Sequence, residues 1–363
     1  MSTTILFIGL HRKGRSPSQR FRFEQYLDIL DENGFECSHV FLLNERQDKA
    51  FYSGGNYARK VLILLNALQK LIKLSFFKKY DIVFVQREAF MLGSSFFERQ
   101  FAKRSKLIFD FDDTIWRHQT GEVKSKNKVF YFLKNPAKTI DIIKAADMVF
   151  AGNQYLHDFA SQHNQNVIIV PTTIDTKAYP LVDKIDNDKV CVGWSGSFST
   201  IIHFEFVIGA LKKLKAKYQD KIYFKVIGDG TYTNHELDIQ GVPWRKDSEV
   251  EDLSEIDIGL MPLPDDEWTK GKCGLKGLQY MALGIPTVMS PVGVNTEIIQ
   301  DGHNGYLAGD ENEWVEKISS LIDSFEARKS LGTKGRETVE THYSVHVNKE
   351  VYVHNLKRIV TEQ

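Results

Sequence analysis

The sequence predicts an α/β protein built as two doubly wound domains in series. Three observations carry that prediction. Short apolar runs alternate with helix-spaced segments along the chain. A polar, proline-containing stretch interrupts the alternation near its middle. The 363 residues also exceed the roughly 250–300 that a single core accommodates.

The elements follow in order. Ile5–Leu10 is an apolar run, followed by a polar loop, His11–Gln19, with Gly14 and Pro17. Arg20–Asn33 places Phe23, Tyr26, Leu27 and Leu30 at helical spacing and stops at Gly34. Cys37–Leu43, Asp81–Gln86, Lys106–Phe111, Met148–Gly152 and Val167–Pro171 read as strands. Their apolar runs are continuous rather than alternating, as parallel strands covered on both faces require. Helices are expected over 57–79, 89–104, 127–145 and 154–163. The polar stretch 176–188 marks the boundary, after which the alternation starts afresh. Val190–Trp194, Tyr223–Ile227, Ile256–Leu260 and Pro286–Met289 read as strands, Phe204–Leu214 and Leu275–Leu283 as helices. The tail from Glu311 reads as mostly helical, with breaks near Gly332 and Tyr343. In such sheets ligands bind outside the carboxyl ends of the strands. The loops to inspect are therefore 10–19, 87–89, 110–118, 152–154, 195–200, 228–232 and 261–276.

Formal net charge is zero but uneven. Residues 1–175 carry 25 Lys/Arg against 18 Asp/Glu, and residues 176–363 carry 22 against 29. Such asymmetry fits halves that meet different partners, or two domains that merely differ in surface composition. Cys37, Cys191 and Cys273 are too few and too scattered for a disulfide framework or a metal cluster, which fits a cytoplasmic setting. The opening apolar run has no basic region before it, so it is a poor signal peptide, and no stretch has the ~18–20 apolar residues of a membrane span. No His-Glu-x-x-His, Gly-x-Ser-x-Gly or Walker lysine loop is present, and no Gly-x-Gly-x-x-Gly follows the first strand. No nucleic-acid partner is expected.

The most informative stretch runs from Asp265 to Gly293. A loop with Gly271 and Gly274 leads into a helix that ends at Gly284, before Pro286. A helix N-terminus offers unpaired N–H groups and partial positive charge to an anion. Lys272 just before it and Lys276 in its first turn oppose the macrodipole, a conflict of roughly 0.3–1 kcal/mol that a bound diphosphate removes. Gln279 lies one turn on, its amide suited to a ribose hydroxyl. The alternative is an ordinary helix start with solvated lysines.

This stretch, with its Gly-Lys-Cys-Gly-x-Lys-x-x-Gln-Tyr-Met-Ala-x-Gly-x-Pro pattern, resembles the signature of glycosyltransferase family 4, a group of retaining GT-B enzymes. Ser290–Asn295, Asp301–Tyr306, Asp257–Gly259 and Gly193–Ser197 are similar to it as well. In the first half Ser18–Arg22, Asp110–Asp113 and Pro171–Asp175 resemble the same branch. The resemblance implies a GT-B fold, two Rossmann-like domains facing across a cleft. Residues 1–176 would form the acceptor side, 177–345 the nucleotide-sugar side, and 346–363 a helix returning to the first domain. It implies transfer from a nucleoside-diphosphate sugar with retention, without metal or cofactor, in surface-polysaccharide or glycolipid assembly. The implied donor-binding residues are Ser195, Gly196, Ser197, Gly228, Gly271, Lys272, Cys273, Gly274, Leu275, Lys276 and Gln279. One departure stands out. The family carries two glutamates seven residues apart, for donor sugar and ribose, where this chain has Gly271 and Gln279. Asp265, Asp266 or Glu267 would have to supply the missing acid. The resemblance leaves two rivals open, a nucleotide-sugar epimerase on the same fold and an inactive nucleotide-sugar-binding subunit.

Asp110, Asp112 and Asp113 follow a strand, and carboxylates so close repel one another unless partnered. Asp112 and Asp113, with Lys272 and Lys276, are the catalytic candidates: the carboxylates for the acceptor hydroxyl or donor sugar, the lysines for the leaving diphosphate. The carboxylates could instead pair structurally with Arg20, Arg22 or Arg117, or hold magnesium through Asp110, Asp112 and Thr114 as in aspartate phosphatases. Arg15, Ser18, Arg20, Arg22 and Asp110 are assigned to the acceptor or phosphate side, with a solvated basic loop as the alternative. Residues 51–80 hold six basic residues and no acid among many leucines. That is either a basic amphipathic helix touching an anionic membrane at its inner face, suited to a glycan or lipid-linked acceptor, or a core-facing helix with a wet basic side.

Overall fold

The computed structural model describes residues 2–52, 55–118 and 133–361. The chain divides into two compact units, Met1–Thr172 with Asn348–Gln363, and Thr173–Val347.

The first unit holds six parallel strands: β1 Thr3–Gly9, β2 Phe35–Phe41, β3 Ile82–Gln86, β4 Lys106–Phe111, β5 Met148–Ala151 and β6 Val167–Ile169. Their order is β2-β1-β3-β4-β5-β6, so the direction of winding reverses beside β1. That switch point is where a doubly wound sheet opens to ligand. β3 is buried along its whole length and β4 beyond its first residue, which explains their unbroken apolar runs. An aromatic cluster fills one face: Phe7 stacks on Phe23 at 5.2 Å and leans on Phe84 at 5.0 Å. Tyr352, from the last helix Val345–Thr361, completes it, stacked on Tyr26 at 4.1 Å and edge-on to Phe150 at 5.4 Å.

The second unit repeats the plan with β7 Val190–Ser195, β8 Ile222–Gly228, a hairpin of β9 Thr233–Asn234 and β10 Ile239–Gln240, then β11 Val242–Pro243, β12 Ile258–Met261, β13 Thr287–Met289 and β14 Tyr306–Leu307. Its sheet order is β11-β8-β7-β12-β13-β14, reversing beside β7. Trp194, Phe204, Leu211, Leu214, Trp314 and Ile318 form the core on one side. The polar stretch 176–188 has no regular structure and lies against this unit: Val182 N–H donates to the Leu283 carbonyl at 3.0 Å.

Several expected helices differ. Arg20–Asn33 is not one helix but Pro17–Arg22, a 3-10 turn Glu24–Tyr26, and Leu27–Glu32. Phe23 leaves helical geometry at φ −132°, and the kink lets Phe21, Phe23, Tyr26 and Leu27 all bury. The 89–104 helix shrinks to Phe96–Ala102 because the Glu98 carboxylate turns back to accept the Ala89 N–H at 2.8 Å. Of 127–145, Lys138–Ala145 is helical, and residues 127–132 lie outside the described residues. Phe204–Leu214 is replaced by Ile201–Glu205 and Ile208–Tyr218. Gly332 does not break the tail. It sits inside the helix Phe325–Thr338, where a Cβ would stand 1.9 Å from the Gly284 carbonyl oxygen, so the glycine serves close packing rather than termination. No helix among the described residues is long and apolar enough to cross a membrane.

Candidate active site

At the carboxyl edge of the second sheet, the helix Leu275–Ala282 starts from Gly274 at φ +71°. A side chain there would be strained and would meet Ile298 Cδ1 at 2.2 Å. Gly274 also brings no capping oxygen, so the residue at the N-cap position makes no side-chain cap to the first turn. Lys272 and Lys276 are half-buried, with Nζ 5.5 Å from the Trp268 ring and 5.9 Å from the Trp194 ring. Cys273 is buried, its Sγ 3.6 Å from the Gly271 carbonyl oxygen, and Gly271 closes the turn Thr269–Gly271.

Tyr280, wholly buried on this helix, reaches the last residue of β7. Its hydroxyl accepts the Ser195 N–H at 2.7 Å and bonds the Ser195 hydroxyl at 3.1 Å. Gly196 N–H donates to the Ile227 carbonyl at 2.8 Å, beside Gly228 at φ +135°. A Cβ on Gly228 would lie 2.3 Å from the Gly196 oxygen, and one on Gly196 would lie 2.1 Å from Trp194. Backbones this close admit only glycine. The structure therefore brings Ser195, Gly196, Gly228, Gly274 and Lys276 to one corner of this unit. Ser197 is exposed, its N–H turned to Thr200 Oγ1 at 2.9 Å, and Leu275 is half-buried as the first helical residue.

Gln279 is placed differently from expectation. It is buried, and its amide nitrogen donates to Tyr179 Oη at 3.0 Å and Glu249 Oε1 at 3.3 Å rather than standing open to a ribose. Glu249 also accepts from Trp244 Nε1 at 2.9 Å and Tyr179 Oη at 2.8 Å. Among the substitutes for the missing acid, Asp266 caps a turn, accepting the Thr269 N–H at 2.8 Å, and Asp265 pairs with Lys270 at 3.5 Å. At the far end of the helix, Arg336 donates to the Ala282 carbonyl and, at 2.6 Å, to that of Tyr179.

In the first unit, Gln19 braces the loop after β1. Its amide bonds both the N–H and the carbonyl of His11 at 2.8 Å, and it lies where a Cβ on Gly9 would be 2.9 Å away. The same helix sends Arg22 into the sheet. Arg22 and Asp110 are wholly buried; the guanidinium bonds both carboxylate oxygens and the Val170 carbonyl. Burial pushes the Asp110 carboxyl up, and Arg22 opposes it. Both residues were expected on the acceptor or phosphate side. They are instead a closed internal pair with no face left for ligand.

Asp112 and Asp113 are held by a residue the sequence reading missed. Arg87 follows β3 directly and bonds Asp112 Oδ1 through Nε at 2.8 Å and Asp113 Oδ2 through Nη2 at 2.7 Å. Gln86 pairs with Asp110 in the sheet register, so Arg87 stands beside these carboxylates by construction. Its φ of +64° is unusual for an arginine. Burial works against the Asp112 charge, but Arg87, Arg22 and a hydrogen bond from Ser18 prevail and hold the carboxyl low. Arg87 thus joins the arginines weighed as partners of these carboxylates, and Arg20 lies 4.9 Å over the Phe21 ring. Arg15 bonds Asp48 at 3.1 Å, which also takes His11 at 3.0 Å. Among the described residues no three His, Cys, Asp or Glu side chains stand together as metal ligands.

Two parallel six-stranded sheets, each wrapped by helices and each reversing at a switch point, make this a GT-B fold. Comparison with known proteins sharpens that. Residues 189–324, which take in β7 to β14, match the family model described as glycosyl transferases group 1. The chain is similar to an uncharacterized glycosyltransferase of Methanocaldococcus jannaschii, 24% identical over 309 residues, covering 77% of this chain and 76% of that one. Over 68 residues it is 39% identical to spore coat protein SA of Bacillus subtilis, a match that spans only 18% of the coat protein's length. Among solved structures, sucrose-phosphate synthase from Thermosynechococcus elongatus superposes with a TM-score of 0.71 at 12% identity, covering 99% of this chain and all of that one. HepE of Anabaena, solved with UDP and glucose, superposes at 0.62 with 13% identity, covering 97% of this chain and 99% of that one. At such identities these likenesses speak for the fold.

Proposed function

We propose that the protein is a retaining glycosyltransferase. It moves a sugar from a nucleoside-diphosphate sugar to an acceptor hydroxyl, in surface-polysaccharide or glycolipid assembly at the cytoplasmic side of a membrane. The observation that carries this reading is the N-terminus of Leu275–Ala282, which starts from Gly274 and is bordered by Lys272, Lys276 and the Ser195–Gly196 backbone. Such a corner suits a diphosphate. In the proposed reaction the bond between the sugar C1 and the diphosphate oxygen breaks while the acceptor oxygen bonds C1 from the same face. The acceptor proton passes to the departing phosphate. Lys272, Lys276 and the helix N–H groups neutralise the charge that develops on the leaving group, usually the largest catalytic contribution, so no metal is required. Asp112 and Asp113 are proposed as the carboxylates of the acceptor side, with Ser18, Arg15 and Arg20 nearby in sequence or space. The partners are the nucleotide-sugar donor, a glycan or lipid-linked acceptor, and an anionic membrane surface.

The test is the shift in melting temperature with UDP, GDP, CMP and dTDP, on the natural chain and on Lys272→Ala. A ligand at ~100 times its Kd stabilises by about 2.7 kcal/mol. One diphosphate should stabilise the natural chain, and Lys272→Ala should lose most of that shift at unchanged intrinsic stability. No shift with any of the four would remove the reading's main support. A second reading, a nucleotide-sugar-binding subunit without turnover, is favoured by the capping role of Asp266, a candidate for the missing acid. Donor binding with no release of free nucleotide across acceptors would select it.

A further inference from the structure

We propose that the exposed face of the helix Tyr57–Phe77, with the adjoining end of Phe96–Ala102, is a docking surface for an anionic phospholipid bilayer. The transfer chemistry plays no part in the argument for this surface, which rests on the first unit alone.

The helix buries one stripe, Ile63, Ala67, Leu71 and Leu74, at helical spacing. An ordinary surface helix would turn polar residues outward on the opposite side. This one turns Val61, Leu65, Ile72 and Phe76 outward. Leu62, 61% exposed, flanks that stripe, and Phe77, 79% exposed, ends it. Leu65 and Phe76 stand opposite the buried stripe, 53% and 43% exposed. The apolar face continues across a ring contact at 6.4 Å from Phe76 to Phe96, itself 42% exposed. Scattered exposed leucines are ordinary; a band of large apolar side chains on one face, with Gln69 as the polar residue among them, is not.

Charge identifies what the band meets. Residues 51–80 contain six basic residues and no acidic one. Arg59 and Lys73 border the band, and Lys78 and Lys79 follow its end, all exposed. Arg99 on the neighbouring helix and Lys103 just past its end are exposed, while Glu98, the only acid of 89–105, is wholly buried and turned inward to the Ala89 N–H. An apolar band with a basic border and no acid is complementary to a surface of acyl chains beneath negative headgroups. A self-association face or a neutral protein groove would not call for this one-sided charge. Leu65, Phe76 and Phe77 would enter the headgroup–acyl boundary, with Arg59, Lys73, Lys78 and Lys79 at phosphate level.

Flotation of the full chain with vesicles tests this. The probes are phosphatidylcholine alone and phosphatidylcholine with about one-third phosphatidylglycerol. The chain should float with the anionic vesicles, not the neutral ones, and less as salt shortens the range of the attraction. Leu65→Asp with Phe76→Asp should reduce flotation to background while the melting temperature holds. Arg59→Gln and Lys73→Gln should each lower the partition coefficient about fivefold. Lys329→Gln, an exposed cation of the second unit, should leave it unchanged. The proposal is overturned if the natural chain ignores anionic vesicles, or if flotation survives the Leu65/Phe76 pair. It is also overturned if that pair instead abolishes a lipid-free dimer in a chain that binds no vesicle. Melting shifts with nucleotide are read separately, so failure here leaves the transferase reading standing.

Discussion

The two sheets share one plan, yet their carboxyl edges are built from opposite materials. In the first unit the edge is dense in full charges that neutralise one another: Arg22 with Asp110, Arg87 with Asp112 and Asp113, and Arg15 and His11 with Asp48. In the second unit the corresponding corner is glycine and hydroxyl, with backbones in contact at Gly196 and Gly228 and a helix that starts from Gly274. Partnered charges hold their side chains in fixed positions. Glycines leave room that a side chain would fill. An ionic edge should therefore fail by exposing an unpaired buried charge, and a glycine edge by steric intrusion.

The largest expected effect breaks the ionic edge. Arg22→Met leaves Asp110 buried without its partner and should cost about 3–5 kcal/mol in denaturant unfolding. Adding Asp110→Asn should recover part of that loss; if the double variant is no better than the single, the pair does not hold the edge. Next comes the glycine edge. Gly228→Ala puts a Cβ 2.3 Å from a carbonyl oxygen at φ +135°, and should cost about 2–3 kcal/mol and abolish nucleotide-induced stabilisation. Full retention of both would mean that the turn relaxes freely. The smallest effect is at Asp48. Burial works to raise its carboxyl, but His11 and Arg15 outweigh burial and hold it below the ordinary 3.8. A depressed acid stabilises the fold above its unfolded pKa and loses that contribution as pH falls through the folded one. The stability difference between the natural chain and Asp48→Asn should be at most ~1 kcal/mol near neutrality and fade below the ordinary carboxylate range. A difference that grows on acidification would refute the assignment.

The strands were readable because a parallel sheet writes itself as unbroken apolar runs, and Lys106–Phe111 matches at both ends. β9, β10, β11 and β14 are two residues each, too short for any periodicity to register. Gly332 misled because a glycine that terminates a helix and one that admits a neighbouring backbone look alike in one dimension. The second unit's corner was largely legible, since glycines and lysines around a helix start form a compact local pattern. The first unit's edge was legible only in its acids. Their partner Arg87 lies more than twenty positions away, made adjacent by the pairing of β3 with β4 and aimed by a positive φ that nothing in the sequence announces. Gln279 could be seen to share a face with Lys276, but not that Tyr179 and Glu249 already surround its amide.

One contact from the tail bears on the opposite end of the Leu275–Ala282 helix. Arg336 sits on the Ala282 carbonyl, at the negative pole of that short rod of aligned peptide dipoles. Eight residues at ~1.5 Å each make the rod ~12 Å long. The tail thereby ties down the negative pole of the rod with a guanidinium that Glu340 holds in turn at 2.6 Å.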